Sequence, residues 1–253
     1  MTIGKLEFVI SKNDYDAVLF DLDGVVTQTA KVHIAAWETL FNEYLKQRSQ
    51  RLGEPYRPFD PDADYRNYVD GKLRYDGVAS FLASRGIALP YGNSNDPPEA
   101  ETICGLGNRK NALYLELLKK AGVETYPSTL ELIRQLRAKG FETAVVSASK
   151  NCAEVLEAAH VSELFTVRVD GNDLERLHLR GKPAPDSFVE ATRRLAVQPS
   201  RAIVVEDAIA GVIAGRLGQF GCVIGVDRTG HPDALKEAGA DVVVPDLAMI
   251  DVT

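Results

Sequence analysis

Short apolar runs that end abruptly at a polar residue recur along the chain. Four of them, residues 17–20, 143–146, 202–205 and 223–226, are followed at once by Asp21, Ser147, Glu206 and Asp227. Continuous apolar runs of this length are typical of strands that are buried on both faces. A further run at residues 241–244 predicts one more strand.

Amphipathic helical patterns separate these predicted strands. The patterns cover residues 129–139, 152–159, 186–195 and 208–217. Alternation of buried strands with helices predicts an α/β fold with a Rossmann-like parallel sheet. In such sheets ligands bind beyond the carboxyl ends of the strands, so the polar residues that follow each run are candidates for a functional site.

One long segment interrupts this alternation. Residues 29–126 contain helical patterns at 31–47, 75–84 and 110–120 and no convincing strand. Residues 57–64 and 90–98 are rich in Pro, Asp and Asn and are predicted to be loops. We therefore expect a helical cap domain, residues 29–126, inserted into a core formed by residues 1–28 and 127–253.

Charge and composition limit the partners that this fold could bind. The 253 residues carry a net charge of -7, which argues against a general nucleic-acid binder, because such binding needs a positive surface. The cysteines have no metal-site spacing, residues 1–14 do not resemble a signal peptide, and no stretch is long enough to span a membrane. We expect a cytoplasmic, monomeric protein with a small-molecule ligand.

Two acidic pairs follow predicted strands. Asp21 and Asp23 belong to a DxDG turn, and Glu206 and Asp207 follow another strand. An isolated DxDG is more often an ordinary acidic turn, and acids are also favoured at helix starts. Carboxylates gathered at one sheet edge repel each other unless a cation lies between them, so the two pairs together predict Mg²⁺. Asp21, Glu206, Asp207 and the backbone carbonyl of Asp23 are the predicted ligands.

Two other strand ends supply hydroxyl groups and positive charge. Ser147 and Ser149 could hold phosphate oxygens, and Lys182 could offset their charge. Equally, the serines could be helix caps and the lysine a solvated surface residue. Their order along the chain, together with the acidic pairs, favours a site for phosphoryl transfer.

These four motifs, in this order, resemble the signature of the haloacid dehalogenase superfamily. The motifs are DxDGV, a strand ending in Ser, a Lys in KPAPD, and a strand ending in Glu-Asp. The resemblance implies that Asp21 is the nucleophile that forms an aspartyl phosphate and that Asp23 is the general acid and base. It also implies that Ser147 and Lys182 take part in catalysis.

Further segments are similar to the β-phosphoglucomutase-like subfamily. They are residues 21–37 (DLDGVVTQTAKVHIAAW), 147–151 (SASKN), 182–186 (KPAPD) and 109–111, with Gly71 and Arg74. The resemblance implies a substrate-binding set, in which Arg74 holds the distal phosphate: His33, Trp37, Gly71, Arg74, Lys110, Ala148, Ser149 and Asn151. Without the resemblance, His33 and Trp37 would be read as a packing pair, and Arg74 and Lys110 as solvated charges.

The resemblance implies a magnesium-dependent phosphomutase that converts β-glucose 1-phosphate to glucose 6-phosphate through a bisphosphate. Gln28 stands where the family pattern has an acid, and residues 48–65 and 88–105 are additional cap sequence. Two alternatives stay open. A sugar-phosphate phosphatase uses the same four motifs, and a catalytically silent binding module could keep the same fold.

Overall fold

The computed structural model describes residues 8–253, and its centre is a six-stranded parallel sheet. The strand order is β4-β3-β2-β5-β6-β7. The strands are β2 (Ala17–Asp21), β3 (Glu142–Val146), β4 (Val167–Val169), β5 (Ala202–Glu206), β6 (Cys222–Val226) and β7 (Val242–Val244). The predicted α/β class and parallel sheet are confirmed.

Strand β2 lies between β3 and β5, and its register decides which residues meet at the functional edge. Asp21 is level with Val146 of β3, and Phe20 is level with Val205 of β5. All five residues of β2 and of β5 are buried. The next residues along, Ser147 and Glu206, therefore lie beside Asp21 at one edge of the sheet.

Six helices accompany this sheet in the core unit, which comprises residues 8–28 and 123–253. They are α4 (Pro127–Ala138), α5 (Cys152–Ala158), α6 (Gly171–Leu177), α7 (Asp186–Leu195), α8 (Ile209–Leu217) and α9 (Pro232–Glu237). Helix α7 packs on β3 and β4, and α8 packs on β5 and β6. Two short parallel strands, β1 (Phe8–Ile10) and β8 (Ile250–Val252), form a separate small sheet.

The second compact unit, called the inserted unit, comprises residues 29–122 and contains helices but no strand. Its elements are α1 (Ala30–Leu52), a π-helical turn (Tyr65–Val69), α2 (Arg74–Ser84) and α3 (Ile103–Ala121). Stacked aromatic rings form its interior, with Phe41 in contact with Trp37, Phe59 and Phe81. That the two units act as a catalytic core and a cap, divided at residues 28 and 126, stays a prediction.

The structure differs from the sequence prediction mainly in short elements. β1, β4 and β8 are three residues long and were not predicted, because such short strands leave no pattern that a loop would not also give. Helix α3 starts at Ile103, seven residues before the predicted start at Lys110, because the hydroxyl of Thr102 accepts a hydrogen bond from the amide of Gly105.

Within residues 8–253, no helix has the length and apolar character needed to cross a membrane.

The three cysteines are buried and form no disulfide bond.

Helix α7 carries an ion-pair cluster that makes stability depend on pH. The carboxylate of Glu190 accepts hydrogen bonds from Arg193 at 2.6 and 2.9 Å and from Arg194 at 2.7 Å. The hydrogen bonds from Arg193 and those from Arg194 lower the pKa of Glu190 to about 2. A carboxyl with a lowered folded-state pKa stabilises the fold above its ordinary pKa, and this contribution is lost as pH falls towards the folded-state value.

We expect Glu190→Gln to lower the free energy of unfolding at pH 7, with a difference from wild type that narrows as pH falls from 4.5 towards 2. Urea denaturation at several pH values measures this difference. Glu116→Gln is the matched control, since its pair with Lys120 is exposed and should contribute little. A difference between wild type and Glu190→Gln that stays constant from pH 7 towards pH 2 would contradict this expectation.

Candidate active site

The loop after β2 is held in a tight turn that only glycine can complete. Gly24 has a φ of 95°, and its amide donates to the carbonyl of Thr27 at 2.8 Å. A Cβ atom at Gly24 would lie 1.8 Å from Oδ2 of Asp207. The glycine of the DxDG motif therefore serves both the left-handed backbone and the close approach of the second acidic pair.

Lys182 joins the two acidic pairs. Its Nζ donates to Oδ1 of Asp21 and to Oε1 of Glu206, and the residue is only 3% exposed. The ring of Phe188 lies 4.9 Å from the same ammonium group. Lys182 is thus a buried ion-pair partner, and its interpretation as a solvated surface lysine is wrong.

Glu206 is fixed from both of its oxygens. Oε1 accepts from Lys182, and Oε2 accepts from the amides of Asp207 at 3.1 Å and Ala208 at 3.0 Å. Gly211, in the first turn of α8, makes room for this carboxylate, since a Cβ there would lie 1.8 Å from Oε1. Gly211 was not singled out from the sequence, because a glycine in a helical pattern carries no sign of what approaches it.

The electrostatics of the site are dominated by burial and by these ion pairs. Burial raises the pKa of Asp21 well above its usual range, Lys182 opposes this, and Glu206 and Asp23 add to it. For Lys182, burial lowers the pKa, but the carboxylates of Asp21 and Glu206 outweigh it and raise the pKa overall. The lysine therefore stays charged beside Asp21.

Three of the predicted metal ligands lie together. Asp21, Glu206 and Asp207 each offer a carboxylate oxygen, and these oxygens lie within 4.8 Å of one another. When ionised, the three carboxylates and Lys182 leave two negative charges at the site, and a hard divalent cation prefers oxygen ligands of this kind. The donor set and its charge fit magnesium.

The carboxylate of Asp23 contacts the turn that follows β3. Its Oδ2 is 3.5 Å from the hydroxyl of Ser147. The carbonyl of Asp23 as a metal ligand stays a prediction. The position of its carboxylate beside a candidate phosphate-holding serine favours a role in proton transfer.

The segment after β3 is a compact turn. The hydroxyl of Ser147 accepts from the amide of Ser149 at 3.0 Å, and that of Ser149 accepts from the amide of Asn151 at 3.2 Å. The carbonyl of Ala148 lies close to Gly171, where a Cβ would be 2.7 Å from it. Both hydroxyls therefore organise the turn, and the O–H of Ser147 also donates to Oδ2 of Asp23.

In the inserted unit, Lys110 is buried among three rings. Its Nζ lies 2.5 Å from Nδ1 of His33, 4.8 Å from the Trp37 ring and 4.9 Å from the Tyr114 ring. Tyr114 also stacks on His33 at 4.1 Å and is fully buried. Tyr114 was missed in the sequence, although its spacing of four residues from Lys110 places both side chains on one face of α3.

Trp37 belongs to the aromatic interior as well as to this cluster. Its ring stacks on Phe41 at 5.2 Å and lies next to Gly77, where a Cβ would be 3.3 Å away. Trp37 therefore has a packing role in addition to its contact with Lys110.

Arg74, at the start of α2, is held by polar neighbours within the same unit. Its Nη2 lies 3.3 Å from the hydroxyl of Tyr75 and 3.4 Å from Oδ1 of Asn108. Gly71, three residues earlier, has a φ of 69°, which the turn before α2 requires. The guanidinium is thus oriented rather than loosely solvated.

A side chain at position 211 should displace Glu206 and so disturb the carboxylates that are predicted to bind magnesium. We expect Gly211→Ala to weaken magnesium binding about ten- to hundredfold, a range typical of groups that orient metal ligands. Titration calorimetry gives the affinity, and the thermal midpoint separates this effect from unfolding.

Gly215→Ala, in the same helix, is the control for Gly211→Ala, since its Cβ would meet Val223 at 3.0 Å and no carboxylate. Equal weakening of magnesium binding in both variants would show that Gly211 acts only through the packing of α8.

Comparison with known proteins identifies the family. Residues 15–218 match the model of the haloacid dehalogenase-like hydrolases. A β-phosphoglucomutase of Mycobacterium bovis is 49% identical over 92% of this chain and 90% of its own length. A validoxylamine A 7'-phosphate phosphatase of Streptomyces hygroscopicus is 31% identical over 93% of this chain and 96% of its own length. The crystal structure of β-phosphoglucomutase from Clostridium difficile, 25% identical, covers 92% of both chains with a TM-score of 0.70. The chain therefore belongs to the haloacid dehalogenase superfamily, in its β-phosphoglucomutase-like branch.

Proposed function

We propose that this protein is a β-phosphoglucomutase, which interconverts β-glucose 1-phosphate and glucose 6-phosphate through an aspartyl phosphate and a bisphosphate. The observation that carries the proposal is the 49% identity with a β-phosphoglucomutase over 92% of the chain. The group formed by the buried Asp21, Lys182 and Glu206 with the partly exposed Asp207 supports it, because it provides a nucleophile, a positive charge and a cation site at one sheet edge.

In the first transfer, the phosphoryl group passes from phospho-Asp21 to the 6-hydroxyl of the sugar. The bond between the aspartyl oxygen and phosphorus breaks, a bond from the 6-oxygen to phosphorus forms, and the hydroxyl proton goes to Asp23. In the second transfer, a carboxylate oxygen of Asp21 forms a bond to the phosphorus of the 1-phosphate, the bond between this phosphorus and the oxygen on C1 breaks, and that oxygen takes the proton from Asp23. Such acid-base assistance is worth about a hundred- to ten-thousandfold in rate.

The other residues of the core unit hold the phosphoryl group during both transfers. Lys182 places its charge beside Asp21 and reduces the repulsion between that carboxylate and the incoming phosphate. Ser147, Ala148 and Ser149 offer hydroxyl and amide donors, and Asn151 completes this turn. Magnesium, held by Asp21, Glu206, Asp207 and the carbonyl of Asp23, would neutralise negative charge on the phosphoryl oxygens when bound.

Residues of the inserted unit are proposed to hold the rest of the substrate. Arg74 would bind the phosphate that is away from Asp21, since its planar fork suits two phosphate oxygens. Lys110, His33 and Trp37 form one cluster that could contact the sugar through its charge and its rings. Gly71 would allow the turn that positions Arg74.

A phosphatase is the second candidate function. It is favoured by the 31% identity with a validoxylamine A 7'-phosphate phosphatase. A catalytically silent module is less well supported, because Asp21, Lys182 and Glu206 form an intact buried network.

We further propose that the enzyme works as a monomer in the cytoplasm. The three buried cysteines form no disulfide bond, which supports a reducing compartment.

The test of the proposed function is formation of glucose 6-phosphate from β-glucose 1-phosphate, with magnesium and a trace of the bisphosphate. Wild-type protein should turn over, and Asp21→Asn should lose several orders of magnitude in rate, since the nucleophile is removed. Release of free phosphate without isomerisation would favour the phosphatase. Failure to release phosphate from an aryl phosphate as well would favour the silent module.

Binding of the distal phosphate distinguishes a mutase from a phosphatase. We expect Arg74→Ala to slow isomerisation about ten- to hundredfold, the range for loss of hydrogen bonds to a charged group. Hydrolysis of an aryl phosphate, which has no distal phosphate, should stay near the wild-type rate. Steady-state kinetics with both substrates measures the two effects.

Arg66→Ala is the matched control, because Arg66 also lies in the inserted unit and pairs with the exposed Asp62. It should leave both reactions unchanged. Equal loss of both activities in Arg74→Ala would indicate a damaged fold. No loss in either activity would show that Arg74 does not bind the distal phosphate.

A further inference from the structure

Arg228 lies just beyond β6, in a turn that fixes its backbone. The carboxylate of Asp227 accepts hydrogen bonds from the amides of Thr229, Gly230 and His231 at 3.1, 2.8 and 3.0 Å. The amide of Asp227 donates in turn to the carbonyl of Val244 in β7. The side chain of Arg228 therefore leaves the sheet edge from a well-defined position.

The guanidinium of Arg228 makes contacts that do not resemble an ordinary surface ion pair. Its Nε donates to the carbonyl of Gly24 at 2.8 Å, and its Nη1 donates to the carbonyl of Pro245 at 3.3 Å. The nearest carboxylate oxygen, on the half-exposed Asp246, is 3.9 Å away. Its Cζ lies 3.7 Å from the centre of the Tyr126 ring, and the side chain is 14% exposed.

The contact with Gly24 reaches the loop that carries the proposed acid and base. Gly24 directly follows Asp23, and its backbone is in the left-handed region with no side chain to restrain it. The peptide between Asp23 and Gly24 is held by the hydrogen bond from the Gly24 amide to Thr27, whereas the carbonyl of Gly24 lies on its other side and, with no side chain at this residue, gains from an outside restraint. The hydrogen bond from Arg228 to the Gly24 carbonyl is such a restraint.

The contact with Tyr126 reaches the segment where the chain re-enters the core unit. The amide of Tyr126 donates to the carbonyl of Val26 at 3.0 Å, and Thr125 pairs with Thr27 in an antiparallel bridge. The backbone amide of Gln28 donates a hydrogen bond to the carbonyl of Glu124 at 2.8 Å. One guanidinium thus touches both the acidic loop and the returning segment that is paired with it.

The hydrogen bonds and the ring contact of Arg228 stabilise the fold, but part of this gain is offset. Its Nη2 is buried and finds no hydrogen-bond partner among the residues that the structure describes, which carries a desolvation cost. A pair with a half-exposed carboxylate at 3.9 Å contributes little. What the arrangement provides is a fixed direction for the Gly24 carbonyl.

We propose that Arg228 is a positioning residue for Asp23: it holds the Gly24 carbonyl and stacks on Tyr126, and so ties the geometry of the acidic loop to the returning segment. This inference rests on the proposed function, because it needs Asp23 to transfer protons. Arg228 contacts no reacting atom and acts only through the loop backbone.

The experiment compares Arg228→Ala and Arg228→Lys with wild type in isomerisation and in aryl phosphate hydrolysis. A catalytic group displaced by about 1 Å can cost about a hundredfold in rate. We expect kcat for both reactions to fall about ten- to hundredfold in Arg228→Ala, with KM within about threefold, because substrate contacts are intact. Added guanidinium ion should restore part of kcat in Arg228→Ala. Arg228→Lys should have a kcat almost as low as that of Arg228→Ala, because lysine has no planar guanidinium that could stack on Tyr126 and donate a hydrogen bond at the same time.

Arg201→Ala is the matched control. Arg201 is another arginine of the core unit, but it makes two hydrogen bonds to Asp16, just before the opposite end of β2. Its removal should lower the thermal midpoint and leave kcat unchanged. A wild-type kcat in Arg228→Ala, or a loss no greater than that in Arg201→Ala, would overturn the positioning role alone. Absence of turnover in wild type would overturn the proposed function, and this inference with it.

Discussion

The site depends above all on the ammonium group of Lys182, which lies between the carboxylates of Asp21 and Glu206. All three residues are buried, and buried carboxylates without a cation would repel each other or take up protons. Removing one partner from such a network leaves an uncompensated charge, which is strongly destabilising. The lysine therefore allows two acidic strand ends to stay adjacent, and it also leaves a net negative charge for a divalent cation. The ion pairs of Lys182 therefore contribute both to the stability of the sheet edge and to the charge of the site.

Two glycines make that charge arrangement sterically possible. Gly24 leaves room for Asp207, and Gly211 leaves room for Glu206; in each case a Cβ would lie 1.8 Å from a carboxylate oxygen. Asp207 and Glu206 thus each pack closely against the backbone of a glycine, which leaves them few alternative positions. Such close packing keeps reacting groups in place without further ordering at the moment of reaction. Arg228 extends the same principle to the carbonyl of Gly24.

The inserted unit also contains a buried positive charge, and the neighbours of this charge are aromatic rings. Lys110 lies over the rings of Trp37 and Tyr114, whose faces attract a cation. These rings continue into the aromatic interior through the stack of Trp37 on Phe41. The position of Lys110 is therefore set by the packing of helices α1 and α3, and any change in that packing also changes the cluster with His33.

Sequence alone determined the central strands, most helices and the residue types at the sheet edge. Fully buried strands such as residues 17–20 and 202–205 must be continuously apolar, and a chemical motif such as DxDG is local in the chain. The tertiary structure decided the rest. The pairing of Phe8–Ile10 with Ile250–Val252 joins the two ends of the described chain, and no local pattern encodes it. The bridge from Lys182 to Asp21, the stacking of Tyr114 on His33 and the hydrogen bond from Arg228 to Gly24 each join residues far apart in sequence. Such contacts follow from strand register and helix packing, because these decide which side chains share a space, whereas the order of residues decides only which groups are available.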